Sequence, residues 1–304
     1  MGTAYTNVPW LPTALLPLIL AGCGDGGSSG GTGGSLSLGV TDAPVDGVTK
    51  VVIEFSEVQV HSSTGDTLDF VLPAPQQIDL LALAGGKHAL LLDHQALAAG
   101  QYEWIRLFVN EADSYVMTDT GAQLALHIPS NAQTGLKLNR PFTLAANGVA
   151  SFIVDFNLHQ SLHLPQGNGQ PYLLRPTLRI VDAVTTGSIN GTVDANLVTA
   201  PGCADAVASN GTVGGSVYVY SGSDMTPVDI NTNLSTGQPA SNASVTLNNG
   251  TWEYTAAYLE PGAYTVAFTC QSSLDEPDTT DNITFQNPAN VTVAGAQTAT
   301  HNFP

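Results

Sequence analysis

The sequence predicts an all-β fold, two antiparallel β-sandwich domains within 304 residues, on three observations. Apolar residues make up 43% of the chain and charged residues only 11%, with Gly, Ser, Thr and Asn filling the polar positions, a mix that favours strands and turns over helices. From Ser35 onward apolar and polar residues alternate in short runs, the period of a half-buried strand. All seven Lys and Arg lie between Lys50 and Arg179, leaving ten acids and no Lys or Arg from Thr185 to the end. That break in charge divides residues 35–184 from residues 185–304.

The first strand is carried by Leu36, Leu38 and Val40. Val51, Ile53 and Phe55 continue the pattern, and the phase then shifts to Val58 and Val60, which predicts a β-bulge near Ser56-Glu57. Further strands are expected at 77–81, 102–110, 124–128, 150–156 and 173–181, separated by Gly, Pro and Asn turns. Tyr102, Trp104 and Phe108 alternate with Ile105, Leu107 and Val109, so that strand is expected to be buried on both faces. The only helix expected is a turn or two at 92–98, ahead of Gly100.

In the second sandwich, residues 189–193, 217–220, 243–247, 252–257, 264–269, 283–285 and 291–293 read as short strands. No crossover helices interrupt them, so the sheets should be mainly antiparallel. The runs ending at Tyr102 and Tyr264 share the pattern Leu-x-x-Gly-x-Tyr, from Leu97 and from Leu259. This spacing lets the ring cover a sandwich edge while its hydroxyl bonds to nearby backbone, as in a tyrosine corner.

Residues 8–22 form an apolar run broken by Pro9, Pro12 and Pro17, shorter than the roughly 20 residues a membrane span needs. The run ends in Leu20-Ala21-Gly22-Cys23, small residues directly before a cysteine. It resembles the bacterial lipoprotein signal, with the difference that residues 1–7 hold no Lys or Arg where such signals begin with positive charge. The resemblance implies a signal peptide at 1–22 and a diacylglyceryl group on the Cys23 thiol. The new amine would carry a further acyl chain such as palmitate, and two or three such chains hold a protein on a membrane almost permanently. By the sorting rule of the lipoproteins it resembles, Gly24 in place of Asp after the cysteine implies the outer membrane, with Asp25 one place later pulling against it. Seven of the eleven residues from Gly24 to Gly34 are Gly, so residues 23–34 read as a flexible tether. Export would also place Cys203 and Cys270 in an oxidising compartment, where they are expected to pair.

Val40-Thr41-Asp42-Ala43-Pro44, then Val48-Thr49-Lys50-Val51-Val52-Ile53 and Val58-Gln59-Val60-His61, resemble the opening of the bacterial family called domain of unknown function 4382. Gly135-Leu136-Lys137-Leu138-Asn139-Arg140-Pro141-Phe142, Ser151-Phe152-Ile153-Val154-Asp155-Phe156 and Leu174-Arg175-Pro176-Thr177-Leu178-Arg179 resemble its closing strands. The resemblance covers residues 35–183 and implies an exported, often lipid-anchored β-domain without an established activity. Residues 189–193 and the turn Leu259-Glu260-Pro261-Gly262-Ala263-Tyr264 resemble a carboxypeptidase-regulatory or transthyretin-like sandwich, an accessory domain of exported proteins.

The net charge of −18 sets up a field that repels a phosphate backbone, which excludes nucleic acid as a partner. Asp42, two residues ahead of Pro44, reads as a structural turn residue. Asp155, His159 and His163 recur every four residues, the helical spacing of a zinc set, but Asp155 ends a strand pattern and Pro165 follows. Asp229, Asn231 and Asn233 imitate the start of an EF-hand loop, yet Leu234 and Ala240 stand where Gly and Glu are needed. Asp275, Glu276, Asp278 and Asp281 are weak candidates for a Ca²⁺ site, the commoner outcome being a solvated acidic loop. Neither a nucleophile elbow, nor a phosphate loop, nor a dinucleotide fingerprint occurs. The expectation is a non-enzymatic binding, adhesive or structural protein without a cofactor. It would meet the membrane through lipid and take an envelope protein or a glycan as ligand. The competing readings are a carbohydrate-active hydrolase with an accessory sandwich and a Ca²⁺-stabilised surface module.

Overall fold

The computed structural model describes residues 33–304 apart from 43, 44, 46, 130–134, 165, 166, 168, 169 and 209–211. The expected signal peptide, Cys23 and most of the tether therefore lie outside the described residues. The first half supplies β1 (Gly33–Thr41), β2 (Val48–Ser62), β3 (Thr67–Asp79), β4 (Ala89–Ala98), β5 (Gly100–Thr118) and β6 (Gln123–His127). It continues with β7 (Leu136–Leu138), β8 (Phe142–Leu144), β9 (Val149–Asp155), β10 (Leu162–His163), β11 (Tyr172–Leu174) and β12 (Arg179–Asp182). The second half supplies β13 (Gly187–Val193), β14 (Val213–Ser221), β15 (Ser241–Asn248), β16 (Thr251–Leu259), β17 (Gly262–Thr269), β18 (Gln286–Val293) and β19 (Thr298–Thr300).

The protein is all-β. A four-stranded sheet, β12-β9-β1-β4, packs over an eight-stranded one, β10-β11-β6-β5-β2-β3, in which β7 and β8 also pair with β5. Leu36, Leu38 and Val40 of β1 and Phe152 and Val154 of β9 meet Val51, Ile53, Phe55, Val58 and Val60 of β2 and Ile105 and Leu107 of β5 in one core. Burying such side chains is worth about 1.5–3 kcal/mol each, so this shared interior is what holds the two sheets face to face.

The predicted bulge is present. The register of β2 slips between Phe55 and Glu57 against both β3 and β5, so Phe55 and Val58, three residues apart, are both buried. Without the extra residue Val58 and Val60 would face outward.

The seven strands of the second half form one sheet, β18-β17-β14-β15-β16-β13-β19. It curls until β18 comes alongside β13 and β19, wrapping a core that includes Ile189, Val217, Val245, Leu259, Phe268 and Phe303. No strand is shared with the first half among the described residues: β12 ends at Asp182 and β13 begins at Gly187.

Several local expectations are corrected. Residues 92–98 belong to strand β4, not to a helix: they pair with β1, and a register shift beside His94, whose φ is 46°, breaks the alternation into a helix-like spacing. β1 begins at Gly33, so the last two residues assigned to the tether are strand. The stretch 173–181 is two strands in different sheets, with Pro176 between them. Residues 77–81 straddle the end of β3 and a 3-10 turn, Leu80–Leu83. Residues 283–285 are not strand; the Phe285 ring instead packs against Tyr218, centroids 5.3 Å apart. β5 is fully buried on one face only, since Trp104 and Phe108 are half-buried. Among the described residues three strand pairings are parallel beside the antiparallel ones: β1 with β9, β6 with β11, and β13 with β19.

Candidate functional site

The alternation of β5 is interrupted by the polar run Asn110-Glu111-Ala112-Asp113-Ser114, and the structure bulges there. Against β2, Asn110 pairs with Glu54 and Tyr115 with Val52, so Glu111 to Ser114 lie opposite Ile53 alone. β5 then pairs with β6 through Tyr115, Val116 and Met117, while the far end of β6, Leu126 and His127, pairs with β11. Two strands that begin as neighbours thus splay into a fork. A cleft of about 750 Å³ occupies it, lined by Gln77, Glu111, Asp113, Tyr115, Gln123 and His127 among others.

Each prong is fixed by charge-assisted hydrogen bonds. Glu111 bridges the fork, its Oε1 2.7 Å from His127 Nδ1 and its Oε2 accepting the Ile128 N–H at 3.2 Å. Beneath the bulge lies the buried carboxylate of Glu54, which accepts from Asn110 Nδ2 and from Gln77 Nε2, both at 3.1 Å. Asn110 Nδ2 also reaches Asp113 Oδ2 at 2.5 Å. Ser114 Oγ donates to the Asn110 carbonyl at 2.7 Å and accepts the Glu54 N–H at 3.1 Å. This network leaves Asp113, Gln77, Gln123 and His127 exposed on a stiffened frame. Sequence reasoning passed over these residues; the signal available was five consecutive residues without a large apolar side chain inside an otherwise alternating strand.

The residues singled out in the sequence fall elsewhere. Asp42 is buried and its Oδ1 accepts the Leu158 N–H at 2.9 Å, so it caps a distant one-turn helix, Leu158–Ser161. Asp155, His159 and His163 each meet a different partner and do not converge. Asp155 Oδ2 accepts from Arg179 at 2.7 Å. His159, 2% exposed, lies with Nε2 3.3 Å from the Asp275 carbonyl and Nδ1 3.2 Å from Asn242 Nδ2. His163 Nδ1 lies 2.7 Å from Asp278 Oδ2. The His159 and His163 contacts, with Gln160 Nε2 donating to the Pro239 carbonyl at 2.8 Å, form a polar seam between the two halves.

Of the acidic candidates, Asp275 and Asp281 come together with Asp229, their carboxylate oxygens within 4.8 Å of one another. Such a set has the oxygen donors a hard cation takes, and the chain also supplies donors of its own. Asp275 accepts from the Tyr218 hydroxyl and the Ile230 N–H, and Asp229 accepts the Asp281 N–H. Asp278 is turned away to His163, and the Glu276 N–H donates to Asp281. Burial pushes the Asp275 carboxyl above its ordinary range, and burial with the neighbouring charge of Asp281 raises Glu276. Cys203 and Cys270 are joined by a disulfide, their Cα atoms 5.0 Å apart.

These features define an all-β protein with a forked sheet and a polar cleft. Residues 33–176 match the family model described as domain of unknown function (DUF4382). No curated protein matches the chain. Among solved structures, the Bacillus anthracis TIE protein is similar at 12% identity and a TM-score of 0.21, over 88% of this chain and 34% of that one. This chain thus spans about a third of that protein's length. The minor pilin of Streptococcus agalactiae is similar at 10% identity and a TM-score of 0.21, over 88% of this chain and 94% of its own. A candidate cell adhesion protein from Bacteroides fragilis is similar at 10% identity and a TM-score of 0.22, over 88% and 92% of the two chains. Superpositions with these scores do not define a common topology.

Proposed function

We propose that this chain is a non-catalytic binding protein of the bacterial cell envelope, held to a membrane, by preference the outer one, by lipid on Cys23. Its role is adhesive or structural. Residues 185–304 act in it as an accessory sandwich of the transthyretin-like kind. The observation that carries the binding role is the fork: a rigid scaffold that opens into an accessible polar cleft is the usual way such folds present a recognition surface. The Cys203–Cys270 disulfide supports an oxidising, extracytoplasmic compartment. The apolar run ending at Cys23 and the glycines after it supply an anchor and a leash.

The rival hydrolase reading would use Glu111 and Asp113, the carboxylates that line the cleft. The Glu111 carboxylate is taken up by His127 and the Ile128 N–H, and that of Asp113 by the Asn110 amide, whereas glycoside hydrolysis needs two carboxyl groups free to act on the glycosidic bond, one as acid and the other as base or nucleophile. The test has two arms. Fractionation of cells making the full chain is expected to recover it with membranes, and Cys23→Ser is expected to move it to the soluble fraction. Incubation of the full chain with envelope polysaccharide is expected to leave the polymer unshortened. New reducing ends would establish the hydrolase instead.

A further inference from the structure

We infer that the fork between β5 and β6 takes a neutral, hydroxyl-rich glycan segment; the inference rests on reading the fork as the recognition site. The cleft is lined by Glu111 and Asp113 above the buried Glu54, and among the described residues no Lys or Arg lines it. Ligands rich in carboxylate, sulfate or phosphate meet a negative field there. A cationic chain is a poorer match for a different reason. An ammonium group only donates hydrogen bonds, whereas the cleft offers donors as well as acceptors. The amides of Gln77 and Gln123, the Tyr115 hydroxyl and the imidazole of His127 stand beside the carboxylates of Glu111 and Asp113. A sugar hydroxyl donates and accepts at once, so it can satisfy both kinds of group.

Size and shape agree with this. About 750 Å³ lies within the usual range for an organic ligand of several rings. Tyr115, Leu124 and Pro171 give the cleft apolar lining against which the C–H face of a sugar ring can lie. The frame is set before a ligand arrives, because the Glu54, Asn110 and Ser114 bonds hold the bulge and Glu111 ties it to β6. A preorganised site keeps the ordering cost of binding low.

The experiment is calorimetric titration of the full chain with cellohexaose, mannohexaose and chitohexaose as neutral probes, an alginate hexasaccharide as the anionic probe and hexalysine as the cationic one. At least one neutral hexasaccharide is expected to bind and the alginate probe is not. Asp113→Asn and Gln123→Ala are each expected to weaken that binding by about tenfold while leaving the melting midpoint in place. Binding of hexalysine alone, lost in Asp113→Asn, would overturn the glycan class yet keep the fork as a recognition site. Neutral binding untouched by either variant would move the site elsewhere and overturn both readings. Silence from all five probes would overturn the glycan inference.

Discussion

His163, only 4% exposed, and Asp278, 115 positions later, meet with Nδ1 and Oδ2 2.7 Å apart across the seam between the two halves. Arg175 lies 3.9 Å from the other oxygen of the same carboxylate. Removing the carboxylate strands a buried imidazole, which costs about 1–3 kcal/mol for an unpaired polar group. Asp278→Ala is therefore expected to lower the melting midpoint. Hydrogen exchange is expected to rise first at 158–163 and 272–281, where the halves touch, and only later in β2 and β14. An unchanged exchange pattern would mean that the pair plays no part in holding the seam.

The acidic trio makes a pH prediction of definite sign. Asp275 is raised above 3.8 chiefly by burial, with the charge of Asp229 adding to the rise, while His159, the Tyr218 hydroxyl and the Ile230 N–H pull it back. The folded state then holds its proton more tightly than the unfolded chain. The stabilisation is fully present below the unfolded value and is lost as pH climbs through the folded one. In urea denaturation from about pH 4 upward, Asp275→Asn, which carries no titrating proton, is expected to show a flatter or more positive slope of stability against pH than the parent. Superimposable slopes would remove Asp275 as the cause.

The bulge of β2 was legible because it lies inside one strand: two apolar phases on either side of Ser56-Glu57 admit only an inserted residue. The His94 kink was not, because a left-handed residue in β4 leaves a spacing that local sequence cannot tell from a helix. The fork stayed hidden for a related reason. Glu111 and His127 are each unremarkable alone, and only the divergence of β6 toward β11 makes them neighbours. The seam joins residues 79 to 116 positions apart, which no periodicity records.

The repeated Leu-x-x-Gly-x-Tyr pattern gives a sharper test, since both tyrosines do the same thing. Tyr102 donates to the Ala98 carbonyl and Tyr264 to the Glu260 carbonyl, each over 2.7 Å and each four residues back. Phenylalanine keeps the buried ring and deletes only that bond, so Tyr102→Phe and Tyr264→Phe should each cost about 1 kcal/mol in denaturant unfolding. The two lie in separate sheets, so the double variant should show the sum of the single costs to within a few tenths of a kcal/mol. A cost well above the sum would mean that the two halves share more than their seam.

The Cys203–Cys270 link closes a loop of 67 residues, for which the chain-entropy model gives about 4 kcal/mol. That figure is the expected cost of Cys203→Ser with Cys270→Ser only if nothing else holds the same two segments together, and something does. The Ala204 and Asp205 N–H groups donate to the Cys270 carbonyl, and the buried Asp205 carboxylate accepts from the N–H and hydroxyl of both Ser272 and Ser273, at 2.6–2.9 Å. Backbone fit adds a further constraint: a Cβ on Gly215, at φ 134°, would lie 2.1 Å from the Thr269 carbonyl oxygen and 2.9 Å from Cys270 Cα. The disulfide-free variant should therefore still fold, with near-native circular dichroism and a midpoint lowered by the link's contribution. Gly215→Ala should destabilise the oxidised protein by about 1–3 kcal/mol through backbone strain. Asp205→Ala should cost more in the disulfide-free background than in the oxidised one, because there its bonds are what remains to keep 203–205 against 270–273. Equal costs in both backgrounds would show that the disulfide and the carboxylate act on separate parts of the fold.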